Sequence, residues 1–316
     1  MKVLILGAGQ VGETLAQRLV GEASDVTLVD QDRQQLDRIA EHLDISHLQG
    51  NAASPKLLQE AGIASADLLV AVTDEDEVNL LACLVGGSLA PGCTLVARVR
   101  DPDFHAHREL LEKGGVHVDG WISPRQVAAK ELADLTLLPG AVEVKEFIDG
   151  SLRLVAAPIR SSSELVQKTL ATLRSSGKLD ALTIVGVERD GYFVPPKGNT
   201  ELRAGDLLFA VGTTAEANQL PQLCGHPQRR VRNVMLAGGG RVGVHLAQAL
   251  LDAGVNVRLA EGDLARCHGI AETLVKADVL HGDCTDQDFL IEERISHADC
   301  FIACMQDDEV NILTAL

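Results

Sequence analysis

The stretch Lys2-Val3-Leu4-Ile5-Leu6-Gly7-Ala8-Gly9-Gln10-Val11-Gly12 decides the fold of this chain. Val3 to Leu6 have the length and composition of a buried strand. Three glycines spaced as Gly7-x-Gly9-x-x-Gly12 follow, and a helical pattern begins at once. Glycine at these places lets the backbone turn tightly and approach a pyrophosphate, while the free N–H groups and positive end of the new helix face the same anion. Asp30 closes the next strand-like run, Val26 to Val29, where its carboxylate can accept hydrogen bonds from ribose hydroxyls. Glycine spacing alone is a weak signal, but strand, turn, helix and acid together predict a dinucleotide-binding Rossmann unit. Gly7, Ala8, Gly9, Gln10, Val11, Gly12 and Asp30 are the first candidate cofactor contacts.

The pattern returns 231 residues later. Val234-Met235-Leu236-Ala237-Gly238-Gly239-Gly240-Arg241-Val242-Gly243 repeats it, and the same offset carries Asp30 onto Glu261. With one residue inserted, Gly50-Asn51 aligns with Gly282-Asp283, and Asp76-Glu77-Val78-Asn79 recurs unchanged as Asp308-Glu309-Val310-Asn311. This is a duplication of one folding unit at long period, not a solenoid repeat of a few tens of residues. Leu316 aligns with Leu84, so the chain is expected to end inside its second copy, as a fragment or truncated piece.

Composition narrows the partners. The chain has 316 residues, 46% of them hydrophobic, enough for a large core and two or three domains. A net charge of −17 argues against nucleic acid or anionic lipid as the main partner. No apolar run approaches the ~20 residues of a membrane helix, and Val3 to Leu6 is too short for a signal-peptide core, so a cytoplasmic location without direct membrane insertion is expected. Seven cysteines show no paired framework. Cys284, Cys300 and Cys304 with His281 and His297 could suggest a metal site, but the duplication aligns Cys300 and Cys304 with Leu68 and Val72, and buried reduced thiols are the expected reading.

Along the chain, strands are expected at Val3 to Leu6, Val26 to Val29, His47 to Gln49, Leu68 to Val72, Leu95 to Val99 and Val116 to Val118, alternating with helices in the rhythm of a doubly wound parallel sheet. Residues 1–123 form this first domain. Ser123-Pro124 opens a connector helix running to about Leu135, within a connector of residues 124–141, before Pro139-Gly140 breaks it. Residues 142–227 read as a small α+β module. Its strands are Val142 to Ile148, Leu152 to Ala157, Leu182 to Glu188 and Leu207 to Val211, its turns lie at Asp149-Gly150, Asp190-Gly191 and Ala204-Gly205-Asp206, and one helix fits Leu165 to Leu173. His226 to Arg230 reads as a polar linker to the second, incomplete Rossmann domain at 231–316.

Gly7 to Gly12, Asp30, Gly50-Asn51, Ala71-Val72-Thr73-Asp74, Ala97-Arg98 and the module carrying Arg203-Ala204-Gly205-Asp206 together resemble the TrkA family, the cytoplasmic regulatory subunits of Trk potassium uptake systems. The resemblance covers the whole chain and implies two tandem RCK (KTN) units: a Rossmann-like doubly wound parallel sheet, a small α+β C-terminal subdomain, and a second, truncated Rossmann-like domain. It implies NAD(H) binding, with ATP or ADP competing in the same cleft, a Trk-type potassium-translocating membrane subunit as partner, and a homo-oligomer, either a dimer or a tetrameric ring, at the inner face of the membrane. By this resemblance Asn51 joins the cofactor contacts, Thr73 and Asp74 form the loop past the fourth strand, and Arg98 touches phosphate. In the second copy Gly238, Gly239, Gly240, Arg241, Val242, Gly243 and Glu261 match, but Met305-Gln306 replaces Thr73-Asp74.

Bland readings stand beside these. Arg98 and Arg100 share one face of a strand, where a surface ion pair would also suit them, and Asp74 to Glu77 fit a helix N-terminal acidic cluster better than a metal site. His105, His107 and His117 have no assigned partner. Two functions remain in view. One is a non-enzymatic nucleotide sensor gating a potassium transporter. The other is an NAD-dependent dehydrogenase, against which stands the stretch from Val142 to Gln222, without histidine and with Tyr192 as its one tyrosine, leaving no evident general acid or base.

Overall fold

Six short strands, apolar where they cross the core, organise the first of two units, Met1–Val127, in a computed structural model that describes residues 1–148 and 150–316. Strands β1 (Lys2–Leu6), β2 (Asp25–Asp30), β3 (Ser46–Gln49), β4 (Leu68–Ala71), β5 (Thr94–Arg98) and β6 (Gly120–Ile122) lie in the order β3-β2-β1-β4-β5-β6, all parallel. Parallel neighbours need crossovers, and α1 (Gln10–Gly21), α2 (Arg33–Ala40), α3 (Pro55–Glu60), α4 (Asp76–Leu89), α5 (Pro102–Ala106) and α6 (Arg108–Lys113) provide them. Both faces are covered: Leu4, Leu6, Leu69 and Leu95 join one apolar layer, and Val3, Ile5, Leu28 and Val70 the other. Burial on both sides is why β1 reads as a continuous apolar run rather than an alternation. The strand order reverses between β1 and β4, which opens a crevice at the carboxyl ends of the strands.

The last strand departs from expectation. Val116 to Val118 is a connection across the sheet end: Gly115 takes φ +93° and Val116 N–H bonds back to Leu111 O at 2.9 Å, closing the turn after α6. Pairing starts only where Asp119 N–H reaches Leu95 O at 2.8 Å, so β6 is Gly120–Ile122. The buried Val118 anchors the connection in the core.

The second unit is Ala128–Leu316. Helix α7 (Pro124–Leu137) leads into an antiparallel sheet of β7 (Glu143–Phe147), β8 (Leu152–Pro158), β9 (Thr183–Arg189), β10 (Tyr192–Val194) and β11 (Leu207–Thr213), in the order β10-β9-β11-β8-β7. Asp149 of the expected turn lies outside the described residues. The helix expected from Leu165 to Leu173 is shorter and later, α8 (Leu170–Ser175). Residues before it form a turn and a bridge: Gln167 takes φ +60° and donates to Leu202 O, Leu202 N–H returns to Lys168 O, and Thr169 bridges Glu201 and caps the helix. Helices α9 (Thr214–Ala217) and α10 (Leu220–Leu223) follow. His226 is not linker: it is buried, its Nε2 lies 2.7 Å from Pro158 O, and it packs where Gly140 leaves room.

The duplicated unit follows as β12 (Asn233–Ala237), α11 (Arg241–Asp252), β13 (Asn256–Glu261), α12 (Leu264–Thr273), β14 (Asp278–His281), α13 (Gln287–Glu292), β15 (Cys300–Ala303) and α14 (Asp308–Ala315). Its parallel order β14-β13-β12-β15 copies the first sheet. Val234 pairs with Cys300 where Val3 pairs with Leu68, and Cys304 follows β15 as Val72 follows β4, its N–H bonded to Ala237 O as that of Val72 is to Leu6 O. Burial pushes the Cys284 and Cys304 thiols up to about 11. Ala129 and Ala133 of α7 pack into the same core as Val234, Leu246 and Leu250.

Helix α1 meets its strand through Gly12, where an added Cβ would sit 1.8 Å from Gly7 O. That contact is with backbone, which cannot move aside without reshaping the turn. Gly12→Ala is therefore expected to destabilise the protein by at least about 2 kcal/mol in urea unfolding, and an unchanged midpoint would contradict this packing.

Candidate functional site

The crevice at the strand ends is a cleft of about 530 Å³. Gly7, Gly9, Gln10 and Val11 line one side, Asp30, Gln31 and Gln35 a second, Gly50 and Ala52 a third, and Thr73, Asp74, Glu75, Val78 and Arg98 the far wall. Of the sequence-predicted residues of the first copy, Gly7, Gly9, Gln10, Val11, Asp30, Thr73, Asp74 and Arg98 line the cleft, whereas Ala8, Gly12 and Asn51 do not. Asn51 is exposed and its Oδ1 accepts from Ala53 N–H at 2.9 Å, shaping its own loop, while its neighbours Gly50 and Ala52 face the cleft.

The turn is built for close approach. Gly7 takes φ +113° with backbone atoms of Val72 and Thr73 within 2.9 Å of any added Cβ, so no other residue fits. Gly9 caps α1, and nothing lies within 4 Å of where its Cβ would be. No side chain caps this helix, although Asp32 caps α2 and Ser54 caps α3. Its first N–H groups and positive end remain available to an anion. Buried Ala8 donates its N–H to Asp30 Oδ2 at 2.6 Å, and Asp32 N–H donates to Asp30 Oδ1 at 2.8 Å. Each carboxylate oxygen keeps a second lone pair that a ligand hydroxyl can use.

The far wall hangs on Asn79, which sequence reasoning left without a role. Fully buried, it accepts from Thr73 N–H at 2.9 Å and from Thr73 Oγ1 at 2.7 Å, and donates through Nδ2 to Thr73 O at 3.1 Å and Arg98 O at 2.9 Å. One amide side chain ties the loop after β4 to the end of β5. Asn311 repeats the clasp on Met305, with bonds of 2.7 and 3.0 Å. The unchanged recurrence of Asp-Glu-Val-Asn was the available signal.

Arg98 reaches Asp74 Oδ1 with Nη2 at 2.7 Å, and its Nε is buried without a hydrogen-bond partner among the described residues. Arg100, on the same face, is held by Asp76, whose Oδ2 accepts from Arg100 N–H at 2.7 Å and Asp101 N–H at 2.8 Å, and whose Oδ1 lies 3.3 Å from Arg100 Nε. Burial raises the cost of charging Asp76, but those two N–H groups and the guanidinium outweigh it and hold its carboxyl below the usual range. Asp76 and Glu77 occupy the first turn of α4. The three histidines lie outside the cleft lining: His105 Nε2 is 2.9 Å from Val99 O, His107 Nδ1 2.9 Å from Asp103 O, and His117 3.4 Å from Asp119.

The second copy keeps the framework and adds an arginine beside the turn. Gly238 takes φ +106°, Gly240 caps α11 without a side chain, and Gly243 packs against Gly238 O as Gly12 does against Gly7 O. Glu261 is buried, accepting from Gly239 N–H at 2.9 Å and Asp263 N–H at 3.0 Å. Arg266, which aligns with Gln35 of the first cleft, donates to Gly239 O at 3.0 Å and lies 3.7 Å from Glu261 Oε2. Arg241 is exposed and Val242 half-buried at the start of α11.

The sequence matches the TrkA-N domain over residues 3–124 and 234–316 and the TrkA-C domain over 154–225. It is 36% identical over 317 residues to the Trk system potassium uptake protein TrkA of Haemophilus influenzae, covering all of this chain and 69% of that protein. It is 33% identical to the TrkA homolog of Archaeoglobus fulgidus, covering 70% of that protein. Among solved structures, the GsuK RCK domain superposes with a TM-score of 0.68 at 22% identity, over 99% of this chain and 65% of that one. The GsuK channel bound to NAD superposes at 0.69 with 23% identity, over 98% of this chain and 54% of that one. These two show a shared fold. No helix among the described residues is long and apolar enough to cross a membrane.

Removing the amide of Asn79 would strand buried backbone groups of Thr73 and Arg98, so Asn79→Ala is expected to cost about 3 kcal/mol in urea unfolding, and a loss under about 1 kcal/mol would refute the clasp. Asp76 adds a pH dependence. With its folded pKa below the ordinary carboxylate value, its stabilisation is complete above that value and is lost as pH falls below it. Wild-type protein should therefore lose more stability than Asp76→Asn between about pH 5 and pH 3; parallel curves would exclude this role.

Proposed function

The chain belongs to the TrkA family, and from that premise we propose that it is a nucleotide-sensing regulatory subunit of a Trk-type potassium uptake system. The carrying observation is the first-unit cleft, where an uncapped helix N-terminus, the Asp30 carboxylate and the Arg98 guanidinium converge. NAD(H) suits these groups: pyrophosphate on the turn from Gly7 to Gly12, adenosine ribose at Asp30, and phosphate charge within reach of Arg98. The buried, unpartnered Nε of Arg98 and the open side of Gly9 are features of the protein that such a ligand would use. ATP or ADP would share the adenosine and turn contacts and compete for the cleft. Ligands that differ in charge and length shift a two-state protein only by their differential affinity for its states, and this is the basis on which the subunit would signal.

Its partner on this reading is a potassium-translocating membrane subunit, which would hold the protein at the cytoplasmic face of the membrane, with further copies of the chain completing a homo-oligomer. The curated relatives reported above bear the names of potassium uptake proteins rather than of enzymes.

Three measurements test the reading. Asp30→Ala should weaken NADH binding by about 1.5 to 3 kcal/mol in calorimetry, and NADPH should bind more weakly than NADH because the carboxylate repels a 2′-phosphate; equal affinities would remove Asp30 from the ribose site. Arg98→Ala should weaken ATP binding more than NADH binding, since a guanidinium favours the more concentrated charge, whereas equal losses would make Arg98 a general phosphate contact. Incubation with NADH and carbonyl substrates should leave NADH intact, and steady oxidation would favour a dehydrogenase.

A further inference from the structure

We infer that Asp74 is an internal competitor for the ligand phosphate, a carboxylate that holds the Arg98 guanidinium until a sufficiently charged ligand displaces it, and that it sets the preference between NAD(H) and ATP. The inference rests on the nucleotide reading of the first cleft. Its origin is an asymmetry in one ion pair. The Arg98 side chain is 13% exposed and the Asp74 side chain 88% exposed, at an Nη2 to Oδ1 distance of 2.7 Å. A largely buried guanidinium needs an anion, whereas a carboxylate in water is already solvated and gains little from the pair. Asp74 can therefore leave cheaply, and Arg98 cannot be left alone.

The surroundings make the exchange a local one. Thr73 is clasped by Asn79, and Thr73 Oγ1 is 3.3 Å from Glu75 O, so the loop on either side of Asp74 is fixed and the side chain alone has to swing. Arg100 Nη1 lies 3.6 Å from the same Asp74 oxygen, a longer second ion pair, while Arg100 Nε is held by Asp76 at 3.3 Å, so a carboxylate that leaves Arg98 stays beside Arg100 and the exchange remains local. Asp74 and Arg98 both line the cleft, together with the glycine turn. Any phosphate that reaches Arg98 must displace the carboxylate or share the guanidinium with it, against like-charge repulsion. A triphosphate carries more negative charge than the pyrophosphate bridge of NADH, so it gains more from Arg98 and is opposed more by Asp74. The carboxylate thus opposes ATP more strongly than NADH and acts as a threshold chiefly on the triphosphate.

Asp74→Asn tests this, because an amide oxygen can keep the bond to Arg98 while the charge is removed, and an 88% exposed site tolerates the change. Titrations of wild type and variant with ATP and with NADH, in magnesium-free buffer and again with Mg²⁺, should show ATP binding tightened by about five- to tenfold and NADH by less than about twofold. The ATP gain should shrink at high salt, and be smaller when Asp74→Asn is added to Arg98→Ala than when it is added to the wild type, because only the direct repulsion is then relieved. Unchanged or weaker ATP binding in magnesium-free buffer overturns the inference, as does an equal gain for both ligands. Loss of ATP affinity confined to the Mg²⁺ titration would make Asp74 a metal-ion ligand and overturn it too. Failure of the wild type to bind either ligand overturns the nucleotide reading itself, which separates the two cases.

Discussion

A carboxylate at the end of the second strand holds the glycine turn in place, and the geometry of both duplicated units depends on it. In the first unit Asp30 takes the N–H of Ala8 and of Asp32, tying the turn after β1 to the start of α2. The second unit does the same with Glu261, Gly239 and Asp263. With the turn pinned, the first helical N–H groups point into the crevice rather than toward solvent, and Gly7 and Gly12 can take their tight contacts with Thr73 and with each other. The residue type that recognises a ribose is therefore also the one that shapes the loop receiving the phosphates.

The Rossmann units were legible because their signals are local. An apolar run, three glycines and an acid at fixed spacing prescribe strand, turn and helix, and the alignment of the copies sets Cys300 at the strand position of Leu68, where it pairs with Val234. What stayed hidden depends on partners far along the chain. Residues 165–169 have a helical pattern, but the bonds of Gln167 and Lys168 with Leu202 and the bridge of Thr169 to Glu201 hold them in a turn and a bridge instead. Val116 to Val118 have strand composition but cross the sheet end. The role of Asn79 depends on carbonyls of Thr73 and Arg98, which no spacing rule connects to it. Arg98 was legible as a strand-end cation near a phosphate site, while its pairing with Asp74 required the loop and strand to be seen together.

The two copies use one scaffold differently. In the first, Gln35 lines an open cleft, and in the second the aligned Arg266 crosses to Gly239 O and leans on Glu261. A protein cation placed over the turn satisfies the carboxylate that a ribose would otherwise meet, so the second framework is stabilised from within. Duplication preserves the clasp, since without it the turn loses shape, and lets the ligand-facing positions drift.

The clasp also couples two sequence positions that lie 22 residues apart. Aspartate is matched with alanine at position 8, and the longer glutamate with glycine at position 239, where an added methyl would sit 2.9 Å from Glu261 Oε2 and 2.4 Å from Ile270 Cδ1. Side-chain length on the strand and side-chain volume on the turn are thus one quantity divided between two residues. Substitutions at the two sites should therefore be coupled: a longer acid on the strand calls for a smaller residue on the turn, so that Asp30→Glu is expected to fit better beside Gly than beside Ala at position 8.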